Sequence, residues 1–241
     1  MGSRIGLLMV GHVDPKSTFI AGDYPELFAD LLAGHDLELV RYDLDEGRFP
    51  DSPAECDGWL CGPSRSSAYD PLPWRADAEE LLRRIVATER PYVGICFGHQ
   101  LLAQAHGAEV ARAADGWQVG VRDYEVTAKE AWMDVRVSDI SLIASHEDQV
   151  VDLPDGATLL ARAVDGGCPV AGFTLGARAW TLQPHPEFVA PLADHLLAGR
   201  VDLIGAEKAA AARASLERPS SRALIARWIA QFFAHANGSR S

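Results

Sequence analysis

Residues 91–100 read PYVGICFGHQ, in which a short apolar strand runs directly into Gly94-x-Cys96-x-Gly98 and then into a helix. Strand, tight turn and helix in that order form the nucleophile elbow of many hydrolases, here with cysteine at the serine position. Side chains at Gly94 and Gly98 would collide with neighbouring backbone in so tight a turn. The helix N-terminus after Cys96 favours thiolate over thiol. The segment predicts a nucleophile, although an inert buried cysteine explains a bare G-x-C-x-G equally well.

A second segment, QPHPEF at residues 183–188, contains the groups that a thiolate nucleophile needs. A base must take up the thiol proton, and a carboxylate must orient that base. His185 and Glu187 are two residues apart, so on extended backbone their side chains point to the same side. The flanking prolines favour extended backbone. His-x-Glu alone is common in surface loops, but together with the Cys96 elbow it predicts a Cys96, His185, Glu187 triad.

Outside these motifs, the predicted secondary structure changes near the middle of the chain. In the first half we predict strands at residues 5–10, 37–42, 58–61 and 92–95, and helices at residues 26–33 and 76–88. This alternation implies right-handed βαβ units and a mostly parallel sheet. In the second half we predict antiparallel strands at residues 118–127, 132–137, 159–164, 170–175 and 179–182. A last helix near residues 221–236 carries an apolar stripe that indicates docking on the sheet rather than on a partner. With no linker or repeat, we expect one domain over residues 4–237.

Composition and charge exclude several functional classes. The 241 residues carry a formal net charge of −12, from 34 acidic residues against 22 lysines and arginines. Binding to phosphate backbones needs clustered cations, so we expect no nucleic-acid partner and no membrane surface. No stretch approaches the roughly 20 apolar residues that span a bilayer. Few, unevenly spaced cysteines and no apparent signal peptide favour a reducing, cytoplasmic compartment.

The remaining histidines and cysteines show no pattern of a metal or cofactor site. Four histidines lack acidic or cysteine companions at ligand spacing: His12, His35, His195 and His235. No glycine-rich phosphate loop is present. We expect ordinary buried thiols at the other three cysteines, Cys56, Cys61 and Cys168, and structural roles for His99 and His106. The sequence therefore predicts neither a metal nor a cofactor.

Together, the two motifs resemble those of the class I (triad-type) glutamine amidotransferase family. Residues 57–64, DGWLCGPS, resemble its oxyanion-strand segment, and residues 145–150, SHEDQV, resemble its S-H-x-D-x-V stretch. Residues 65–74 and 115–120 point to a narrower branch of stand-alone proteins similar to the amidotransferase domain of GMP synthase, including plant γ-glutamyl peptidases. The resemblance implies a flavodoxin-like three-layer α/β sandwich with a mostly parallel central sheet and a small antiparallel sheet.

The resemblance also implies roles for individual residues. Cys96 matches the nucleophile that attacks the γ-carbonyl of a glutamine side chain. His185 matches the group that deprotonates the thiol and then protonates the leaving ammonia, and Glu187 orients His185. The backbone N–H groups of Gly62 and Phe97 would form the oxyanion hole.

Further positions match less directly. Gln100 matches a position that helps hold the amino-acid end of the substrate, and Gly94 and Gly98 are assigned to the same binding region. His146 lies in the S-H-x-D stretch, where it either orders a loop through hydrogen bonds or takes part in the site.

Two positions depart from the family pattern. Pro63 has no N–H group and cannot donate to an oxyanion, which leaves the preceding Gly62 for that role. Pro184 replaces the usual aromatic residue before the histidine, which would reshape the pocket wall without touching the triad.

These residues predict cleavage of a γ-glutamyl amide through a thioester on Cys96, with glutamine or a γ-glutamyl peptide or amide as the small-molecule donor. In one version the protein acts alone as a hydrolase or transferase. In another it hydrolyses glutamine and delivers ammonia to a separate synthetase subunit. Two further alternatives are a non-catalytic regulatory protein, which the intact triad opposes, and a cysteine hydrolase of another substrate class, which the His-x-Glu order opposes. The donor, the acceptor and the oligomeric state stay open.

Overall fold

The computed structural model describes residues 2–238, which form a nine-stranded sheet with helices on both faces and a separate two-stranded sheet. The strands are β1 Ser3–Met9, β2 Leu37–Asp43, β3 Gly58–Cys61, β4 Tyr92–Ile95, β5 Val110–Arg112, β6 Gln118–Val126, β7 Asp139–His146, β8 Asp148–Val150, β9 Ala157–Ala163, β10 Gly172–Leu175 and β11 Ala179–Leu182. The helices are α1 Thr18–Ala21, α2 Tyr24–Leu31, α3 Arg75–Ala87, α4 Phe97–Ala105, α5 Ala190–Ala198, α6 Val201–Ile204, α7 Ala206–Ser215 and α8 Arg222–Gly238. Each helix within the described residues is too short or too polar to cross a membrane.

The large sheet is mixed, with the strand order β2-β1-β3-β4-β11-β10-β9-β6-β7. Its first five strands are parallel, and the last four continue it in antiparallel pairs. The antiparallel strands of the second half therefore extend the central sheet. The small antiparallel sheet consists instead of β5 and β8. The predicted fold class is confirmed.

Alternate residues of the parallel strands pack into two cores on opposite faces of the sheet. Leu7 of β1 belongs to the core that includes α2, α5 and α8, whereas Leu8 belongs to the core formed with α3 and α4. This alternation follows from the two-residue period of a strand. The last helix packs in the first of these cores, where its residues Trp228 and Phe232 are almost completely buried.

The prediction of a strand at residues 132–137 is wrong. These residues form a turn and bends, and the next strand, β7, begins at Asp139 and pairs with β6. Trp132 is nevertheless buried, with its ring centroid 4.9 Å from that of Trp180. A turn closed by the Met133 N–H and the Glu130 carbonyl oxygen places the indole in the core. Apolar residues that are buried singly in a turn alternate with polar ones in the sequence, as the residues of a half-buried strand do. This similarity explains the wrong prediction.

Candidate active site

Cys96 is the single residue between β4 and α4. Its backbone has φ 52° and ψ −102°, a left-handed conformation that is strained for a side-chain-bearing residue. The Cys96 N–H donates to the Leu182 carbonyl oxygen of the neighbouring strand β11, at 2.8 Å. Strain held in place by the sheet is characteristic of a nucleophile elbow, which projects its side chain above the strand ends.

The two glycines beside Cys96 are required for steric reasons, as predicted. A Cβ atom on Gly94 would lie 2.6 Å from the Gly98 carbonyl oxygen, and one on Gly98 would lie 2.5 Å from the Cys61 carbonyl oxygen. Neither glycine lines the cavity beside Cys96. The structure thus gives both glycines a role in close packing beneath the elbow, and a contact with substrate stays a prediction.

His185 and Glu187 lie side by side and almost completely buried. The His185 Nδ1 atom is 2.7 Å from the Glu187 Oε1 atom, and the two side chains are 3% and 0% exposed. The ring stacks on Phe188 with a centroid separation of 4.1 Å, and the His185 N–H donates to the Ile143 carbonyl oxygen at 2.8 Å. Backbone, ring face and Nδ1 are all fixed, so the orientation of the imidazole is set before any substrate binds.

Charge in this region favours a protonated His185. Burial opposes the charged ring, but the neighbouring Cys96 and the Glu187 carboxylate outweigh it and raise the pKa of His185 to about 10. The other ring nitrogen, Nε2, is buried and makes no hydrogen bond of regular geometry among residues 2–238, and the Cys96 sulfur is the group that stabilises its proton. An imidazolium between two acidic groups is equipped to give a proton to a leaving amine.

The two predicted oxyanion donors differ in their surroundings. Phe97 is the first residue of α4, so its N–H has no partner within the helix. The Gly62 N–H, in contrast, donates to the Leu8 carbonyl oxygen at 3.2 Å. This bond continues the ladder between β1 and β3, so the oxyanion role of Gly62 stays a prediction that requires its N–H to leave the Leu8 carbonyl oxygen. The next residue, Pro63, has no N–H group.

A buried pair of glutamines adjoins Cys96. Gln100 Nε2 donates to the Asp148 carbonyl oxygen at 2.8 Å and to Gln183 Oε1 at 3.0 Å, and Gln183 Nε2 donates to the Cys96 sulfur at 3.6 Å. Because the Asp148 carbonyl only accepts, it fixes the orientation of both amides. Both N–H groups of the Gln100 amide are thus occupied, which leaves only its oxygen for a substrate. Gln183 was not predicted from the sequence, although it begins the histidine motif.

A cavity of about 230 Å³ opens above these groups. Cys96, His185 and Gln100 line it, together with Trp117 and Arg200. Arg200, which lies in the short connection between α5 and α6, was not predicted from the sequence.

His146 lines the same cavity, and its ring is neutral. Burial and the nearby charge of His185 lower the pKa of His146 to about 3. Its Nδ1 atom lies 3.1 Å from the Asp148 carbonyl oxygen and therefore carries the proton, which makes Nε2 an acceptor. The Asp148 carboxylate accepts hydrogen bonds from Ser67 and Tyr69, so this segment also anchors a loop at the cavity mouth.

The other cysteines and histidines lie apart from this constellation. Burial raises the pKa of the Cys61 and Cys168 thiols to about 12, which makes both poor nucleophiles. His99 is buried, with its Nδ1 atom 2.7 Å from the Thr181 hydroxyl. Burial lowers the pKa of His99 to about 3.

His12 has acidic neighbours that the sequence spacing did not predict. Ligand atoms of His12, Asp43 and Asp45 lie within 4.8 Å of one another. His12 is also paired with Asp23, and Asp43 accepts hydrogen bonds from two arginines, Arg41 and Arg48. The cluster is thus neutralised by its own partners.

Comparison with known proteins agrees with this geometry. The family model "Glutamine amidotransferase class-I" matches residues 31–200. Gamma-glutamyl peptidase 3 of Arabidopsis thaliana is 28% identical over 181 residues, which cover 72% of this chain and 71% of that protein. A glutamine-hydrolyzing GMP synthase subunit of Halobacterium salinarum is 28% identical over 63% of this chain and 78% of its own length. A glutamine amidotransferase structure from Thermotoga maritima superposes with a TM-score of 0.76 at 20% identity, covering 98% of this chain and 99% of the other.

Proposed function

The chain belongs to the glutamine amidotransferase class-I family, and from that premise we propose that it cleaves γ-glutamyl amide bonds through a thioester on Cys96. The observation that carries the proposal is the strained Cys96 elbow in one cavity with the buried, carboxylate-oriented His185. A nucleophile, a base and an orienting carboxylate are the parts that acyl transfer needs.

In the proposed reaction, His185 takes the proton of the Cys96 thiol. The thiolate sulfur then forms a bond to the γ-carbonyl carbon of the donor, and the electron pair of the C=O bond moves onto the oxygen. The oxygen of the tetrahedral intermediate accepts the Phe97 N–H. His185 then gives its proton to the departing nitrogen, the C–N bond breaks and the thioester remains. Water, deprotonated by His185, hydrolyses the thioester and releases glutamate. An amine in place of water would give γ-glutamyl transfer.

We favour independent action on γ-glutamyl compounds, and similarity to a protein named as a γ-glutamyl peptidase supports this version. The second candidate is a glutaminase subunit that supplies ammonia to a separate synthetase. It is supported by similarity over 78% of a protein named as a subunit of GMP synthase. A non-catalytic regulatory role is opposed by the complete set of Cys96, His185 and Glu187.

The test is to incubate the purified protein with glutamine, γ-glutamyl dipeptides and γ-glutamyl methylamide, and to measure the released amine and glutamate. Cys96→Ala serves as the control and is expected to be inactive. Turnover of γ-glutamyl dipeptides supports independent action, whereas slow turnover of glutamine alone supports the role of a glutaminase subunit. The proposal is wrong if the protein turns over no donor and a chloroketone analogue of glutamine fails to label Cys96.

A further inference from the structure

Arg200 is held in the cavity from two sides. Its guanidinium carbon lies 5.1 Å from the centroid of the Trp117 ring, and its Nη1 atom donates to the Ser145 hydroxyl at 3.1 Å. Trp117 lies in residues 115–120, one of the segments that point to the narrower branch of the family. Stacking on an indole and one hydrogen bond orient the planar guanidinium and leave several N–H groups for another partner.

Among residues 2–238, the charge of Arg200 has no contacting ion-pair partner, and Asp14 and Cys96 attract it only from a greater distance. No carboxylate oxygen lies within 4.0 Å of it in the described part of the chain, residues 2–238. The other two arginines that line the cavity are both paired. Arg65 lies 3.5 Å from Asp14 and Arg112 lies 3.8 Å from Glu147, with the two arginine side chains 55% and 72% exposed.

Burial also makes the Arg200 charge costly. Desolvation lowers the pKa of Arg200, with a contribution from Arg65, and outweighs the opposite effects of Tyr24, Cys96 and Asp14. Arginine nevertheless stays protonated under ordinary conditions. A partly buried cation with no contacting anionic partner, beside a nucleophile, has the character of a binding site for an anionic group of the substrate.

We propose that Arg200 binds a carboxylate of the γ-glutamyl donor and so fixes the distance of the scissile amide from Cys96. This inference rests on the proposed function. Every donor of this class carries the α-carboxylate of its glutamyl group, and a γ-glutamyl peptide carries a second carboxylate on its leaving group. The planar fork of a guanidinium suits either carboxylate, because it donates two parallel hydrogen bonds.

The first experiment compares wild type and Arg200→Gln on three donors: γ-glutamylglycine, its analogue with the α-carboxylate amidated, and γ-glutamyl methylamide. For γ-glutamylglycine we expect kcat/KM to fall about 10- to 100-fold, mainly through KM, because hydrogen bonds to a charged group are lost. If Arg200 binds the α-carboxylate, the substitution should have little effect on the amidated analogue. If it binds the carboxylate of the leaving group, the substitution should have little effect on γ-glutamyl methylamide. An equal loss on all three donors, or no loss on γ-glutamylglycine, overturns the proposal.

Two further variants separate geometry from charge. Arg200→Lys keeps the charge but loses the fork, so we expect it to recover only part of the lost kcat/KM. Arg65→Gln removes the same formal charge from the cavity, and we expect a smaller loss because Arg65 already shares its charge with Asp14. An Arg65→Gln effect as large as that of Arg200→Gln would mean that the cavity acts through its total charge, which overturns the assignment.

The second experiment does not depend on the identity of the donor. Iodoacetate and iodoacetamide have nearly the same size, and only iodoacetate carries a carboxylate. We expect Arg200→Gln to slow alkylation of Cys96 by iodoacetate about tenfold and to leave the iodoacetamide rate close to that of wild type. Equal slowing of both reagents overturns the role of Arg200. If this selectivity is observed but no γ-glutamyl donor is turned over, the proposed function fails and the anion site stands.

Discussion

Glu187→Gln tests the triad most directly, because it removes one charge and changes little else. The amide oxygen of glutamine can still accept the His185 Nδ1 hydrogen, so the ring keeps an acceptor at the position of Oε1. The wild-type contact is 2.7 Å long and completely buried. A hydrogen bond to a charged group contributes about 1.5–3 kcal/mol. At 1.36 kcal/mol per pH unit, this corresponds to about one to two pH units.

The sign of the pH effect follows from the charge of the ring. In wild type, His185 is protonated until the pH approaches its pKa of about 10, and activity that needs this proton is lost above that pH. Without the Glu187 charge the protonated ring is less stable. The alkaline limb of kcat/KM should therefore move about one to two pH units toward neutrality. In addition, kcat at neutral pH should fall about 10- to 100-fold, because the same charge stabilisation of about 1.5–3 kcal/mol is lost.

The assay is a pH profile of kcat/KM on the best γ-glutamyl donor, with an NMR titration of the His185 ring as an independent measurement. Asp194→Asn is the matched control. It removes an exposed carboxylate that pairs with Arg213, and it should leave the alkaline limb in place. An unchanged kcat and an unmoved alkaline limb in Glu187→Gln would refute the assignment of Glu187.

Three other substitutions test the surroundings of the site and the core. Gly98→Ala places a Cβ atom 2.5 Å from a backbone carbonyl oxygen, so thermal melting should show a loss of about 1–3 kcal/mol; an unchanged melting temperature contradicts the steric argument. Gln183→Leu removes the N–H donated to the Cys96 sulfur, and steady-state kinetics should show kcat lowered about tenfold or more; wild-type kcat would mean that this contact is dispensable. Trp132→Ala empties the space beside three aromatic rings and should cost about 3–5 kcal/mol in urea unfolding, whereas the exposed Val135→Ala should cost less than about 0.5 kcal/mol.

The sequence predicted the features that depend on local backbone. As expected, a side chain at Gly94 or Gly98 would collide with backbone atoms. This could be predicted because the strand, turn and helix of the elbow are encoded within seven consecutive residues. His185 and Glu187 also lie together, although the backbone bends at Pro186 and Glu187 and is not the extended segment that we expected. Such relations need no knowledge of the remaining chain.

Features that depend on distant contacts were not predictable. Two of the acidic neighbours of His12, Asp43 and Asp45, lie more than thirty positions along the chain. The role that we propose for Arg200 depends on contacts with Trp117 and Ser145, which belong to other parts of the chain. Residue composition and hydrophobic periodicity can be read from the sequence. Neither of them predicts which charged side chain lacks a contacting partner in the folded protein.

The register of the parallel sheet explains why the two motifs meet. Ile95 of β4 is directly opposite Leu182 of β11, so both strands end at the same level and Cys96 and Gln183 emerge side by side. The carboxyl edge of a parallel sheet is also where ligands bind in such folds. A slip of one residue between β4 and β11 would turn every side chain of one strand to the opposite face. The hydrogen bond from the Cys96 N–H to the Leu182 carbonyl oxygen therefore holds the strained elbow and also places the nucleophile at the level of the histidine motif.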